Sequence, residues 1–413
     1  MTAGDSRLEP RRIAYLMSRF PKISETFILY EIVALEELGF HVEIFPLLRE
    51  REPLQHREAE RLAARAHDIP LASGAVLRAQ LHWLRRRPLT YLAAWGAALW
   101  GNLTSPRFLI RALAVVPLAA TFAQRMEAAN VSHIHAHWAT HPALAAYVAS
   151  RLTGIPYSFT AHAHDIYVDR PMLQEKIRRS AFVVTISEFN RQFLERLYGR
   201  LAEDRIVVVH CGTDTSLFQP PSMRAPGPWT IVCVASLQPQ KGQTYLIEAC
   251  RRLVAEGIEL RCVLVGDGET RTALEAQIRD AGLEDRVELI GQQPRHRVIE
   301  LLGGADAVAQ PSIVLPSGKM EGIPVALMEA LAMERPVVAT AISGVAELVE
   351  HEVTGLLVAP ANATELTDAL RRLHAEPDLG VMLGRAGRRR VVEDFDLTRS
   401  ARQLGARFTE GAA

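Results

Sequence analysis

The chain has few cysteines and no net charge. Cysteine occupies only four of its 413 positions, and no two of the four have Cys-x-x-Cys spacing. This usage indicates buried, reduced thiols and fits a cytoplasmic protein better than a disulfide-stapled secreted one. Lysine plus arginine equals aspartate plus glutamate at 47 each, so no global charge favours nucleic acid or an acidic polymer as a partner.

The chain also lacks an apolar segment at its start and a long uninterrupted apolar run. Residues 1–12 are polar and charged, so no secretory signal is expected there. Two apolar runs occur later, at residues 89–100 and 108–122, but the first is followed by Gly101 and the second contains Arg111. A membrane-spanning helix needs about 20 apolar residues, so neither run is predicted to span a membrane.

Residues 75–127 have two interpretations. Tryptophan, tyrosine and arginine beside apolar helical faces are typical of helices that lie in a membrane interface. An ordinary helical insertion that covers one face of a sheet gives the same pattern and is the preferred interpretation. The preceding residues 50–72 are rich in arginine, glutamate and alanine and predict an exposed helix.

Strands and helices alternate from the beginning of the chain. Residues 13–17 predict a buried strand, and Ser24 is suited to cap a helix that ends before Gly39. Residues 41–45 predict a second strand. A strand–helix–strand start predicts a parallel sheet whose ligand loop lies at the carboxyl end of a strand.

A proline-rich stretch divides the chain. Residues 219–228 contain four prolines in ten positions and predict a linker. The strand–helix alternation restarts after it, and the chain is long enough for two cores. We therefore predict a first domain over residues 1–218, with an insertion at about 50–127, a second domain over 229–395, and a final helical segment over 396–413.

Two glutamates, Glu321 and Glu329, lie in a predicted strand–loop–helix segment. Residues 307–309 predict a short buried strand, and strong helix formers begin at Val325. Pro324 suits the first position of that helix because its φ is fixed and it has no N–H. A helix N-terminus binds phosphate, and carboxylates accept hydrogen bonds from a vicinal diol. The segment therefore predicts a site for a nucleotide sugar.

This segment resembles the signature of the family-4 retaining glycosyltransferases. The resembling features are Glu321, Gly322, an apolar residue, Glu329 after seven intervening positions, an alanine-rich helix, and the Pro-Val-Val run at 336–338. The resemblance covers nearly all of residues 13–405. It implies the GT-B architecture, an α/β fold of two doubly wound Rossmann-like domains that face each other across a cleft, with the last helix crossing back to the first domain.

The resemblance also implies the donor side of the site. Lys241 stands where the family has a lysine on the donor diphosphate, whereas Ser236 stands where the family has an arginine and supplies no charge. The compensating charge is expected from the helix amides, from Lys319 or from an arginine of the first domain. The catalytic candidates are His162, Lys241 and Glu321. The donor-binding candidates are Ser236, Gly266, Gly268, Gly291, Gly322, Ile323, Pro324, Val325 and Glu329.

Histidines mark the acceptor side. His162 aligns with the family's strand-end histidine that faces the transferring sugar. The acceptor-side candidates are Arg19, Lys22, His137, His164 and Asp165, with His135 a weaker one. A zinc site at His133, His135 and His137 is disfavoured because side chains on one strand stand parallel and no carboxylate is near them in the sequence.

The implied reaction transfers a sugar from a nucleoside diphosphate-sugar to an acceptor hydroxyl with retention of anomeric configuration. Glu329 would hold the ribose hydroxyls, Glu321 the sugar hydroxyls, and Lys241 the departing charge, without metal or other cofactor. The acceptor would be a glycan or lipid-linked glycan. The first loop, residues 18–27, resembles the branch that builds colanic-acid-type exopolysaccharides, which makes the cytoplasmic face of the membrane a candidate partner.

Two alternatives remain open at this point. The loss of arginine at Ser236 fits a catalytically silent relative that binds a nucleotide or glycan within a biosynthetic complex. A GT-B epimerase or phosphorylase is the other alternative, and the spacing of Glu321 and Glu329 disfavours it.

Overall fold

The computed structural model describes residues 11–22, 25–50, 57–221 and 227–410. Within them the chain forms two parallel sheets of six strands each, with helices between successive strands. The predicted doubly wound α/β class is therefore confirmed. Two sequence expectations lie outside the described residues: the Ser24 cap and positions 222–226 of the proline-rich linker.

The first sheet has the strand order β2-β1-β3-β4-β5-β6. Ile13 lies in register with Val42 on one side and with His133 on the other, so β1 is an interior strand. The strands are β1 (Arg12–Phe20), β2 (His41–Arg49), β3 (His133–His137), β4 (Tyr157–Ala161), β5 (Phe182–Thr185) and β6 (Ile206–Val208).

The helices of the first half include a large group inserted between β2 and β3. They are α1 (Thr26–Glu37), α2 (Arg57–Ala63), α3 (Gly74–Arg86), α4 (Pro88–Trp100), α5 (Pro106–Ala128), α6 (His141–Thr153), α7 (His164–Tyr167), α8 (Leu173–Arg179), α9 (Glu188–Tyr198) and α10 (Arg200–Glu203). The buried stripe of α1 consists of Ile28, Ile32 and Leu35, as its spacing predicts.

Three expectations about this half need correction. The first strand continues to Phe20, so Arg19 lies on a strand and not on a loop. Only Arg57–Ala63 of the expected helix at 50–72 is helical among the described residues. Residues 106–128 form one 23-residue helix through Arg111, which by length and composition is sufficient to cross a membrane. However, 56% of its most apolar window is buried inside the protein.

The second sheet has the strand order β12-β11-β10-β7-β8-β9. Its strands are β7 (Trp229–Val234), β8 (Leu260–Val265), β9 (Val287–Leu289), β10 (Ala307–Gln310), β11 (Val337–Thr340) and β12 (Leu356–Val358). Its helices are α11 (Gln243–Ala255), α12 (Arg271–Asp280), α13 (Arg295–Gly303), α14 (Val325–Ala332), α15 (Val345–Leu348), α16 (Ala363–Ala375) and α17 (Pro377–Asp394). The order of strands reverses between β7 and β10, and open α/β sheets bind ligands at such a point.

The last helix, α18 (Leu397–Glu410), packs on the first half of the chain. Leu404 and Phe408 belong to the same buried cluster as Ile13 and Ile32. A β-carbon on Gly405 would lie 2.8 Å from the ring of Phe40, so only glycine permits this close packing. The chain therefore returns to its first sheet after completing the second.

Candidate active site

The loops after β7 and β10 meet at the point where the strand order of the second sheet reverses. The ammonium group of Lys241, on the first loop, forms an ion pair with the carboxylate of Glu321, on the second. The Ser312 hydroxyl donates a hydrogen bond to the other carboxylate oxygen at 3.2 Å. Sequence reasoning thus named two residues, 80 positions apart, that the fold brings into contact.

Gly242 explains how the two loops approach so closely. Its φ is +67°, in the left-handed region, and a β-carbon built on it would lie 2.0 Å from the carbonyl oxygen of Pro311. Any side chain at 242 would separate the loops, so Gly242 positions Lys241 beside Glu321.

Helix α14 directs its N-terminus into this region. Pro324 immediately precedes the helix and is not its first residue, which corrects the prediction by one position. The amides at the start of a helix have no partner within the helix and favour an anion. Glu329 follows one turn later, where burial raises the pKa of its carboxyl to about 7 while the charge of Arg295 opposes the shift. Glu329 is thus poised to change protonation state near neutral pH.

The glycine turns after β8 and β9 lie against the loop that contains Ser236. The Gly266 amide donates to the Gly291 carbonyl at 2.9 Å, which joins the two turns. A β-carbon on Gly266 would lie 2.0 Å from the Ala235 carbonyl oxygen, and one on Gly268 would lie 2.3 Å from the Leu237 carbonyl oxygen. Because Gly266 and Gly268 carry no side chain, the turn between them can pack against the backbone of the Ser236 loop.

Lys319 is the nearest cation to the Ser236 loop that the contacts identify. Its ammonium group lies 3.4 Å from the side-chain oxygen of Gln238, which belongs to the same loop as Ser236 and Lys241. The backbone carbonyl of Ser236 accepts a hydrogen bond from Gln243 at 3.0 Å. Lys319 thus lies beside the loop that contains Ser236, and its role as a compensating charge stays a prediction.

Histidines at the carboxyl ends of β3 and β4 form a buried cluster. His162 Nε2 lies 3.2 Å from His137 Nδ1, and His137 Nε2 lies 2.9 Å from a carboxylate oxygen of Glu31. Phe27 and Trp138 pack against the His162 ring, with centroids at 4.8 and 4.5 Å. Burial, together with the neighbouring His137, holds the pKa of His162 well below its usual range. His162 is therefore a neutral imidazole at physiological pH.

No carboxylate is near these histidines in the sequence, but the fold brings one beside them. Glu31 does supply a carboxylate, and its ligand atoms together with those of His135 and His137 lie within 4.8 Å of one another. However, both ring nitrogens of His135 already bond hydroxyl groups, to Ser158 at 2.8 Å and to Thr160 at 3.0 Å. The geometry fits a hydrogen-bonded network at least as well as a metal site.

The remaining acceptor-side candidates differ in how their charges are used. Arg19 pairs with Glu50 and Lys22 with Glu25, both at 2.8 Å. His164 is partly exposed and lies 3.0 Å from Asp169.

Asp165 is buried and has a different role from the exposed candidates. Its carboxylate accepts hydrogen bonds from the amides of Ala139, His162 and Ala163. Because its oxygens are occupied by the backbone, Asp165 positions the two strand-end loops and is not placed to bind an acceptor directly.

The two halves of the chain meet beside His162. A β-carbon on Gly322 would lie 3.7 Å from the carbonyl oxygen of His162 and 2.6 Å from the Ile186 side chain. The Glu321 loop of the second half therefore faces the His162 strand end of the first. A carboxylate, Glu347 on α15, also accepts from the first amides of α9, those of Glu188 and Phe189, both at 2.8 Å.

Sequence reasoning missed Tyr30, Glu31 and Arg295, which lie near the cleft. Glu31 is an acidic residue three positions after the buried Ile28 and next to the buried Ile32, and that position was a usable signal. Arg295 lies over the Tyr30 ring, with its guanidinium carbon 3.7 Å from the ring centroid, and thus links α13 to α1. No pattern in the sequence pairs Arg295 with Tyr30, because the two residues are brought together only when the domains face each other.

Solved structures share the fold of this chain. A glycosyltransferase from Rickettsia africae superposes with a TM-score of 0.73 at 19% identity, over 97% of this chain and 98% of that one. Anabaena HepE in complex with UDP-glucose gives a TM-score of 0.69 at 19% identity, over 97% and 99%. Two facing Rossmann-like domains with this connectivity define the GT-B class.

Sequence comparison identifies the family within that class. The model for "Glycosyltransferase Family 4" matches residues 24–217, and that for "Glycosyl transferases group 1" matches residues 217–390. A Salmonella typhimurium protein named as a colanic acid biosynthesis glycosyltransferase, WcaL, is 32% identical over 412 residues, covering 96% of this chain and 98% of that protein. The chain belongs to glycosyltransferase family 4.

Proposed function

We propose that the protein transfers a sugar from a nucleoside diphosphate-sugar to a hydroxyl of a growing cell-surface polysaccharide, with retention of anomeric configuration. The observation that carries the proposal is the placement of Lys241, Glu321 and the α14 N-terminus at one loop cluster that faces His162. The polysaccharide assignment draws on the relative named for colanic acid biosynthesis, and the donor class on the UDP-glucose complex of a structural neighbour.

The chemistry assigned to the donor side is electrostatic. The bond between the anomeric carbon and the diphosphate oxygen breaks, and its electron pair leaves with the diphosphate. Lys241 and the amides before α14 stabilise that negative charge, and Lys319 supplies the charge that Ser236 lacks. This arrangement needs no metal ion, because the protein provides the cationic groups itself.

Binding of the donor must change the contacts of Lys241. Lys241 pairs with Glu321. When a diphosphate pairs with the Lys241 ammonium group instead, the Glu321 carboxylate can accept hydrogen bonds from the sugar hydroxyls. Glu329, one turn inside α14, accepts those of the ribose. The ion pair thus keeps two ligand-binding groups in place until the donor replaces it.

The acceptor side is assigned to the first domain. His162 is neutral and packed by aromatic rings, so it lines the sugar face without adding charge. A glycan carried on a lipid is the acceptor class proposed, and the cytoplasm is the proposed location because nucleotide sugars are the donors.

A thermal-shift panel with UDP-, GDP-, ADP- and dTDP-sugars, with EDTA present throughout, tests the proposal. One donor is expected to stabilise the wild type by about 2.7 kcal/mol at a hundred times its dissociation constant, and to leave Glu329→Ala unshifted. Product analysis with that donor and an acceptor should then give a glycoside of unchanged anomeric configuration. Free epimer or sugar phosphate as sole product, or no shift from any donor, would contradict the proposal.

A further inference from the structure

The inserted helices α3, α4 and α5 leave an apolar surface uncovered. Ten of the eighteen large hydrophobic side chains exposed among the described residues lie between Leu71 and Leu113. Leu89 and Trp100 are the most exposed of all, at 82% and 80%. Exposed apolar side chains scattered singly need no explanation, but a concentration of this kind marks an interaction site.

Helix α4 shows the feature most clearly. Its thirteen residues include no charged side chain. Its inner face is buried, at Tyr91, Ala94 and Ala98, whereas its outer face carries Leu89, Leu92 and Trp100. A helix that faces water normally carries its charged residues on the outer face. The outer face of α4 is therefore built for an apolar environment.

The charge around this surface has one sign. Between Asp68 and Glu127 the chain contains seven arginines and no lysine, aspartate or glutamate. Arg78, Arg85 and Arg111 are exposed, and no ion pair to a described residue occupies them. Leucine and tryptophan beside arginine are the side chains that lie at a lipid interface, with the guanidinium groups against anionic headgroups.

The surface adjoins the acceptor side of the cleft. Asn102, in the turn between α4 and α5, lies 3.3 Å from the sulfur of Met172. Arg107 at the start of α5 pairs with Asp169 at 3.5 Å, and Asp169 contacts His164. A membrane that contacts the outer face of α4 would thus lie beside the loop assigned to the acceptor.

We propose that α3, α4 and the first half of α5 dock the protein on an anionic lipid bilayer. The helices lie in the headgroup region and do not span it, because the inner side of α5 is buried against the protein. A second copy of the chain fits less well, since a symmetric interface would bring the arginine clusters of both copies together. The exposure and charge of this surface do not depend on the catalytic role of the protein. Only its relation to a lipid-linked acceptor rests on the proposed function.

Vesicle flotation with the full chain tests the proposal. The wild type is expected to float with vesicles in which about a third of the lipid is phosphatidylglycerol, and not with pure phosphatidylcholine. The variant Leu89→Ser/Leu92→Ser/Trp100→Ser should lose flotation. Arg78→Gln/Arg85→Gln/Arg111→Gln should lower the partition coefficient about a hundred-fold, since each arginine contributes about five-fold. All three arginines are exposed and unpaired among the described residues, so folding should be retained.

A matched control changes the same residue types on an exposed face of the second domain. Val381→Ser/Met382→Ser/Arg385→Gln should float like the wild type. Failure of the wild type to bind anionic vesicles at low salt, or equal binding by all variants, would overturn the proposal. So would a dimer that the leucine–tryptophan variant converts to monomer without any vesicle binding. Donor-induced thermal shifts, measured on the same samples, report separately on the proposed function.

Discussion

The two halves of the cleft use their polar side chains in opposite ways. On the first half, the strand-end imidazoles bond to one another, to hydroxyl groups or to Glu31, and aromatic rings surround them. On the second half, the Lys241 and Glu321 side chains pair with each other, and Ser312 donates to Glu321. The Glu329 carboxylate lies buried near the charge of Arg295. The first half thus places a network of neutral rings at the cleft, whereas the second half places charged groups there.

This difference follows from the physical chemistry of the two groups. A neutral imidazole can be buried cheaply if both nitrogens find partners, so it can shape a rigid wall. A carboxylate or ammonium group placed to bind a substrate must keep hydrogen-bonding capacity free for it. Under the proposed function, the charged groups of the second half would contact the donor, and the first half would supply an uncharged surface facing them.

The largest difference between the two halves should appear in their unfolding free energies at low pH. Burial lowers the pKa of His133 to about 3 and those of His135 and His162 well below their usual range. Below about pH 6.5 the unfolded chain therefore binds protons that the folded chain does not. The unfolding free energy of the first half should fall by about 1.4 kcal/mol per pH unit for each of these histidines. Urea unfolding at stepped pH, with proteolysis to assign each half, measures it.

A His133→Asn variant is the control for that experiment. Removing one buried imidazole should make the acid dependence shallower by about one quarter, since His141, whose pKa burial lowers to about 4, contributes beside the other three. An unchanged slope, or a second half that unfolds before the first, would show that the histidine cluster does not control acid stability.

Loss of the Lys241 charge should come next in size. Lys241→Met should lower kcat by about a hundred- to a thousand-fold, because the charge acts on the departing diphosphate. Lys319→Met should have a smaller effect in the same direction. Arg279→Met removes a cation from the exposed face of α12 and should leave kcat unchanged. Steady-state kinetics with the donor found in the thermal-shift panel measure all three, and equal effects of Lys241→Met and Arg279→Met would refute the assignment.

Protonation of Glu329 should make donor binding dependent on pH. Burial raises the pKa of Glu329 to about 7, so the carboxylate that accepts from ribose hydroxyls forms only as the pH rises through that value. Donor affinity should therefore increase between about pH 6 and pH 8. Glu329→Gln should bind about ten-fold more weakly at the upper pH and show no such increase. Calorimetric titration of the donor into both proteins at several pH values measures this pH dependence of the donor affinity.

The same carboxyl should affect stability with the opposite trend to the histidines. Because its folded pKa is raised, the stability contributed by Glu329 is present below about pH 4.5 and is lost as the pH rises through about 7. Glu329→Gln should accordingly be the more stable protein at high pH, by up to about 3 kcal/mol. Equal pH dependence of the two proteins would contradict the burial of this carboxyl.

The smallest effect is expected at the contact that joins the halves. Burial alone would raise the pKa of Glu347, but His210 and the amides of Phe189 and Glu188 lower it overall, so it remains ionised. Glu347→Ala leaves the amides of Glu188 and Phe189 without this acceptor, while Ser187 still accepts from Asn190, and should cost about 1–2 kcal/mol of unfolding free energy. Glu350→Ala, an exposed acidic residue nearby, should cost little. Equal unfolding curves for the two variants would show that this contact does not join the halves.

Local patterns in the sequence were sufficient for the fold class. Strand–helix alternation predicts parallel sheets, and two parallel sheets are observed. The prediction that Glu321 lies on a loop and Glu329 on a helix also holds, because it uses neighbours within one strand–loop–helix unit, where the backbone itself fixes the relation between residues. The roles of these residues towards a donor stay predictions. The element ends were less exact, as β1 and Arg19 illustrate.

Only the tertiary structure decided which residues meet between units. Glu31 reaches His137 over 106 positions, Lys241 reaches Glu321 over 80, and Arg295 lies over Tyr30 from the opposite domain. The outward direction of Leu89 and Trp100 was equally undetermined, since α4 is apolar on both faces and its sequence does not say which one the protein covers. Such contacts depend on how separate elements pack, and that packing is set by the whole core and not by any local pattern of residues.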